Sequence, residues 1–206
     1  MSQLLGKAVL LRCPAGSSLQ DAGRLAGAQY GIPTSGAMDQ KSFRWANHIL
    51  QNSDHAVALE MAQPGLRIQF DQACQVALAG AQVLVSLNQI PLLNSTLISI
   101  APGDILEIGA FLSGSRLYLC IQGGFQVPHY LGSGSDFESI TLPSKRSTNE
   151  VLSYLAIPQP NSLGAKPKWE TSWFESPEIE AYPGADWTLL SSAQQQLIRS
   201  TTFHLS

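Results

Sequence analysis

Charge is scarce in this chain: of 206 residues, Asp, Glu, Lys and Arg make up 13%, and the formal net charge is -3. No basic field exists to hold a nucleic-acid backbone or an anionic membrane, so anionic ligands are left to individual arginines. Histidine is rare too. His48, His55, His129 and His204 show no ligand spacing with cysteines or carboxylates, and no metal is predicted. Cys13, Cys74 and Cys120 are odd in number, far apart and set among apolar neighbours, which reads as buried thiols in a reducing compartment. Long hydrophobic runs are missing: no window approaches the ~18 apolar residues of a membrane span. The first apolar run, Ala8 to Leu11, is too short for a signal h-region and is followed at once by Arg12. A soluble, cytoplasmic protein is expected. There is no Gly-x-Ser-x-Gly elbow and no cysteine with a neighbouring histidine, so covalent catalysis is not indicated.

What the chain has is apolar content, 44%, enough for one good core, or one domain and the beginning of a second. From Leu66 to Gln122 it repeats short runs of strand character: Leu66 to Phe70, which alternates strictly, then Gln75 to Leu78, Val83 to Leu87, Leu97 to Ile100, Ile105 to Ile108 and Arg116 to Gln122. Turn signals stand between them at Pro64-Gly65, Gly80-Ala81, Asn88, Pro102-Gly103-Asp104 and Ser113-Gly114-Ser115. This spacing predicts a mainly β barrel or sandwich rather than βαβ units. One helix interrupts it, with Asp39 as cap and Phe43, Ala46, Ile49 and Leu50 on one face. A second is expected from Asp186 to Arg199. Gly132 to Arg146 and Pro158 to Lys168, rich in Ser, Gly, Pro and Asn, read as loops. The expected organisation is a domain over 1–150, a connector over 151–176, and the start of a second domain over 177–206. The alternation in Thr201 to Ser206 looks like a strand beginning, as in a fragment.

The segment Gln20 to Glu60 carries the most chemistry. Gln20, Asp21 and Arg24 lie close to Gly31, Gly36 and Asp39, so an amide, acids, a cation and permissive glycines share a short stretch. Glycines let the backbone approach a ligand, an arginine binds carboxylate or phosphate bidentately, and a carboxylate orients it or acts as a base. The alternative is a structural loop in which Asp21 and Arg24 pair with each other. Glu60 reads as a raised-pKa acid or as an internal acceptor tying its strand to the Gln20 loop, and Arg116 as an ion-pair anchor or a ligand contact. Gly132-Ser133-Gly134-Ser135 could cradle a phosphate but lacks the Gly-Lys-Ser/Thr ending of a P-loop, which favours a plain loop.

The ordered set Gln20-Asp21-x-Gly23-Arg24, Gly31-Ile32-Pro33-x-Ser35-Gly36-Ala37-Met38-Asp39, Ala46-Asn47, Asn52, Leu59-Glu60, Pro64-Gly65, Gly80-Ala81, Pro102-Gly103-Asp104, Gly114-x-Arg116-x-Tyr118-Leu119, Gly123-Gly124 and Leu131-Gly132-Ser133 resembles the allophanate hydrolase subunit 2 family. This family is also called the carboxyltransferase A/B-subdomain family and includes the C-subunit of 5-oxoprolinase. The resemblance implies a cyclophilin-like β-barrel with one or two short helices, followed by the start of a second similar domain. It implies a subunit of an ATP-dependent complex that opens the lactam of 5-oxoproline to glutamate, with companion subunits as partners and ATP at a partner or shared interface. The alternatives it carries are a carboxyltransferase component of a biotin-dependent urea carboxylase or allophanate hydrolase system, and a non-catalytic binding or regulatory subunit. Biotin would then arrive on another protein or domain, because Ala37-Met38 is followed by Asp39 and not by the lysine of a biotinylation tract.

On this resemblance Asp21 or Asp39 handles a proton, Arg24 binds the substrate anion, and Gln20 and Asn47 position it, with Gly36 and Arg116 also at the binding site. The chain departs from the family after Ser133. Gly134-Ser135-Asp136 stands where an arginine followed by Ser or Thr is usual, a change that removes a cation and adds an acid.

Overall fold

The computed structural model describes residues 4–92, 97–137, 145–156 and 182–202. The chain divides into two units, Met1–Phe174 and Glu175–Ser206. Among its described residues the first is built on ten strands: β1 (Leu5–Arg12), β2 (Ser18–Gln20), β3 (Ala58–Met61), β4 (Leu66–Phe70), β5 (Cys74–Leu87), β6 (Ile90–Leu92), β7 (Leu97–Ile100), β8 (Ile105–Ile121), β9 (Phe125–Gln126) and β10 (Val151–Leu155). All pair antiparallel in the order β2-β3-β8-β4-β1-β10-β9, while β5 lies against β6, β7 and β8. The expected mainly β class is what the structure shows, with the sheet curled into a half-barrel.

The sheet's middle, β3 with residues 74–81 of β5 and 117–121 of β8, reads as nearly continuous apolar runs because both of its faces are covered, whereas β1, β4, β7 and β10 alternate. Leu59, Met61, Val76, Leu78, Leu117, Leu119 and Ile121 point into the barrel interior with Leu10, Ile68, Phe70 and Leu106. Their alternates, Ala58, Ala77, Ala79, Tyr118 and Cys120, face outward under helix α1 (Gln40–Ile49). Four of these five are small, which lets the helix lie close. Asp39 starts the helix by accepting from the N–H groups of Lys41 (3.1 Å) and Ser42 (3.0 Å). Phe43, Ala46, Ile49 and Leu50 form its buried stripe, as their spacing predicts. Phe43 meets Tyr118 edge to face at 6.0 Å; burying such a ring contributes roughly 2–3 kcal/mol.

Two expectations need correction. Gly80-Ala81 and Ser113-Gly114-Ser115 do not reverse the chain: they lie within β5 and β8, which pair along their length with register shifts between Gly80 and Val85. The bulges break the two-residue period, so each long strand reads in sequence as two short ones. Val151–Leu155, assigned to the connector, is β10, pairing with β1 and β9. Pro158 to Lys168 and the closing residues 203–206 lie outside the described residues.

In the second unit the expected single helix is two elements, a 3-10 turn over Ala185–Leu189 and α2 (Ser192–Ser200). Ser191 separates them by forming a capping box with Gln194, so the helix starts later than the apolar spacing suggested.

All three cysteines are free; Cys74 and Cys120 are buried and Cys13 is half-buried. Burial pushes the Cys74 thiol up to about 12, against a hydrogen bond with Tyr154, and drives Cys120 higher still. Thiolate is the reactive form. An aromatic-disulfide titration at pH 8 is therefore expected to label Cys13 alone in the folded chain and all three thiols in denaturant.

Candidate functional site

Asp21, at the end of β2, is fully buried. Its Oδ1 accepts from Gly23 N–H (2.7 Å), Ser133 Oγ (2.7 Å) and Ser135 Oγ (2.6 Å), and its Oδ2 from Gly134 N–H (2.7 Å). Burial pushes this carboxyl up, but the bonds from Ser135, Ser133, Gly23 and Gly134 outweigh it and hold the group below the usual carboxylate range. A carboxylate so held is a latch for the Gly132–Ser135 loop. The two hydroxyls and the amide that a phosphate would need are spent on it.

Arg24 completes the latch. Its side chain donates to the carbonyls of Ser135, Pro33 (3.3 Å) and Tyr130 (3.4 Å), its guanidinium lies 4.3 Å from the Phe137 ring centre, and only 2% of the residue is exposed. Burial lowers its pKa against the field of Asp21 and Asp136. Arg24 and Asp21 thus both grip the 130–137 loop instead of pairing with each other. Gln20 Oε1 accepts from Gly36 N–H (3.0 Å), and Ala37 N–H donates to the Asp21 carbonyl (2.9 Å). A Cβ at Gly36 would come within 2.9 Å of Gly23, so the two segments meet glycine to glycine. Asp136 accepts from Arg146 through both oxygens and from Leu19 N–H (2.6 Å). Its charge is internally matched, although burial still raises its pKa.

A second cluster lies where α1 begins. Glu60 Oε2 accepts from Tyr118 Oη (2.7 Å) and Met38 N–H (2.9 Å), and Tyr118 Oη accepts from Asp39 N–H (2.7 Å). Burial, opposed by the Asp39 bond and aided by Glu60, pushes the Tyr118 phenol far up, so it stays a donor. Asp39 itself is occupied: Oδ1 caps the helix and Oδ2 accepts from Ser42 Oγ. Arg116, two residues before Tyr118 on the same strand face, donates through Nη1 to Ser115 O (3.0 Å). Among the described residues its buried Nε has no hydrogen-bond acceptor, but it forms an ion pair with Glu60 Oε1 at 3.7 Å, the anchoring role read from sequence. An N–H left in this way costs about 1–3 kcal/mol.

Asn47 is elsewhere. It is 2% exposed, donates to Ala56 O (3.2 Å) and accepts from Asn52 (2.8 Å), which in turn holds Ile121 O and Gly123 N–H. Together these bonds fasten the end of α1 to the end of β8. The expected residues therefore fall into three places: Gln20, Asp21, Arg24 and Gly36 in the latch; Asp39, Glu60 and Arg116 at the start of α1; Asn47 at its far end. Tyr118 was not singled out, and Ser133 and Ser135 were weighed as a phosphate cradle or a plain loop, not as donors to Asp21. The alternation Arg116-x-Tyr118 was the available signal for the first, whereas the serines lie 112 and 114 residues from Asp21, a separation that hides their pairing with it. Among the described residues no group of side chains could hold a metal ion, and no helix is long and apolar enough to cross a membrane.

Comparison with known proteins agrees with this architecture. The family described as carboxyltransferase domain, subdomain A and B, matches residues 30–206. Urea amidolyase of Lachancea kluyveri is 42% identical over 115 residues, 56% of this chain and 6% of that protein. The C-subunit of the Escherichia coli 5-oxoprolinase is 27% identical over an alignment of 217 residues, covering 94% of this chain and 70% of the relative. The crystal structure of the K. lactis urea amidolyase superposes with a TM-score of 0.67 at 33% identity, over 80% of this chain and 10% of that one. The chain thus spans less than a tenth of the urea amidolyase of L. kluyveri. With both the fold and the sequence match in place, this chain belongs to the carboxyltransferase domain family, subdomain A and B.

Proposed function

We propose that the chain is a subunit of an ATP-dependent complex that hydrolyses the lactam of 5-oxoproline to glutamate. The observation that carries this reading is coverage: similarity to the C-subunit of the E. coli 5-oxoprolinase extends over 94% of this chain and 70% of that relative. In the reaction water adds across the C–N bond, the carbonyl carbon taking the hydroxyl and the nitrogen a proton. The residues at the start of α1 suit the substrate better than the latch does. Arg116 keeps 29% of its side chain exposed, whereas Arg24 is spent on carbonyls. In this reading Asp21 and Asp39 position backbone instead of moving protons. ATP would act at a partner or shared interface, since the Gly132–Ser135 donors are committed to Asp21.

The 42% identity to the L. kluyveri urea amidolyase favours a second reading, a carboxyltransferase component acting with biotin carried elsewhere. Reconstitution separates the two. Mixed with companion 5-oxoprolinase subunits, 5-oxoproline and ATP, the chain is expected to yield glutamate and ADP, and omitting it to abolish the yield. Carboxylation of urea with biotin carboxylase and carrier domains, and no glutamate, would replace the first reading with the second.

A further inference from the structure

A cleft of about 340 Å³ opens where α1 ends, between residues 50–53 with Ala56 and the pair Gln122-Gly123 that follows β8. Hydrogen bonds hold its lining. Gln51 N–H donates to His48 O (3.0 Å) and Asn52 N–H to Asn47 O (2.9 Å), which closes the helix with Gln51 in the left-handed region, φ +55°, where glycine is usual. The Asn52 side chain then ties this turn to Ile121 O (2.8 Å) and Gly123 N–H (2.7 Å). None of the latch residues and none of the Glu60 cluster takes part.

Along this lining the donors are engaged and the acceptors are not. The N–H groups of Gln51, Asn52, Ala56, Gln122 and Gly123 all donate within the protein. Among the described residues none donates to the carbonyl oxygens of Leu50, Gln51, Asn52 or Gln122. Gln122 Oε1 is buried and has no partner either, a state that native side chains rarely keep unless water or a ligand completes it. The C-terminal end of α1 adds partial negative charge. A ligand that complements such a lining donates hydrogen bonds and carries positive charge.

Three kinds of cation can be told apart by their chemistry. A divalent metal ion seeks carboxylates, and among the described residues no carboxylate lines the cleft. A quaternary ammonium has no N–H and is held by aromatic faces, which are missing from the lining as well. A primary ammonium has three donors, and a cleft of this volume, at the low end of ligand sites, leaves space for a short chain behind it. We infer that the cleft at the end of α1 binds a small primary alkylammonium. Its N–H groups donate to the Gln122 amide oxygen and to the unpaired carbonyls after α1, and its chain lies against Leu50 and Ala56. This site is additional to the proposed reaction and does not depend on it.

The probe is n-butylammonium chloride, titrated into the 206-residue chain and followed in 15N-correlated NMR spectra. At millimolar concentration it is expected to shift the Asn52, Ser53 and Gly123 amides and the Gln122 side-chain amide, while the Gly23 and Gly134 amides stay in place. Sodium chloride at the same ionic strength should shift none of them. Butyltrimethylammonium, with the same chain and charge but no N–H, should bind about tenfold more weakly, and 1-butanol, a donor without charge, should also bind about tenfold more weakly. Gln122→Met is expected to weaken butylammonium about fivefold, and Gln122→Glu, which sets a charge at the same place, to tighten it about fivefold. Both variants should keep the Gly23 and Gly134 positions, which reports an intact fold. Equal binding of the two ammonium ions, no shift at Asn52 or Gly123 up to the solubility limit, or one affinity shared by wild type and both variants overturns the inference.

Discussion

Asp21→Ala is expected to destabilise the first unit by about 4 kcal/mol, read as a lowered urea midpoint. The carboxylate satisfies two serine hydroxyls and two backbone N–H groups in a fully buried place, and bonds to a charged acceptor contribute about 1.5–3 kcal/mol each. Truncation leaves those donors without an acceptor, and that penalty is larger than the bonds' net worth suggests. The pH dependence follows from the lowered pKa of Asp21 in the fold. Its contribution is full above the unfolded value near 4 and disappears as pH falls through the lower folded value. Asp136 works in the opposite sense, because burial raises its folded pKa and folding there is favoured as pH falls. The diagnostic quantity is therefore the difference between wild type and Asp21→Ala, which should shrink as pH is lowered from 5 to 2. A difference that stayed constant over that range would remove the ionised carboxylate from the explanation.

The latch also shows what could be read from sequence. Asp39 as a helix cap and Phe43, Ala46, Ile49 and Leu50 as one buried face were legible because capping and helical spacing are local. So was the strict alternation of Leu66 to Phe70. The purpose of the Gln20 segment was not. Its composition suggested a ligand site, yet Asp21 and Arg24 are satisfied by the loop around Ser133 to Ser135, and a polar side chain carries no mark of a partner more than 100 residues away. The two readings of Glu60 were a titrating acid and an internal acceptor. The structure shows an acceptor with other partners than the Gln20 loop, since one oxygen ties β3 to Met38 N–H and Tyr118. The other oxygen faces Arg116 in an ion pair at 3.7 Å.

The continuity of β5 and β8 was hidden for a different reason, and it bears on Arg116. Gly80 has φ +111°, and a Cβ there would lie 2.2 Å from the carbonyl oxygen of Arg116 on the paired strand. Glycine at position 80 looked like a turn; it is the place where two backbones come too close for any side chain. Gly80→Ala must therefore push β8 away from β5 at Arg116, and both terms act against folding: the strained φ costs about 1–2 kcal/mol and the overpacking about 1–3 kcal/mol. A loss of roughly 3 kcal/mol is expected in urea unfolding. Gly103→Ala is the control, because Gly103 also has positive φ, +89°, but nothing lies within 4 Å of a Cβ there. It should show the backbone strain alone, roughly 1 kcal/mol. The displacement should also open the 3.7 Å gap between Arg116 and Glu60, while Asp21 and its serines keep their NMR positions. Equal losses at the two glycines would show that strain, and not the collision with Arg116, sets the requirement at position 80.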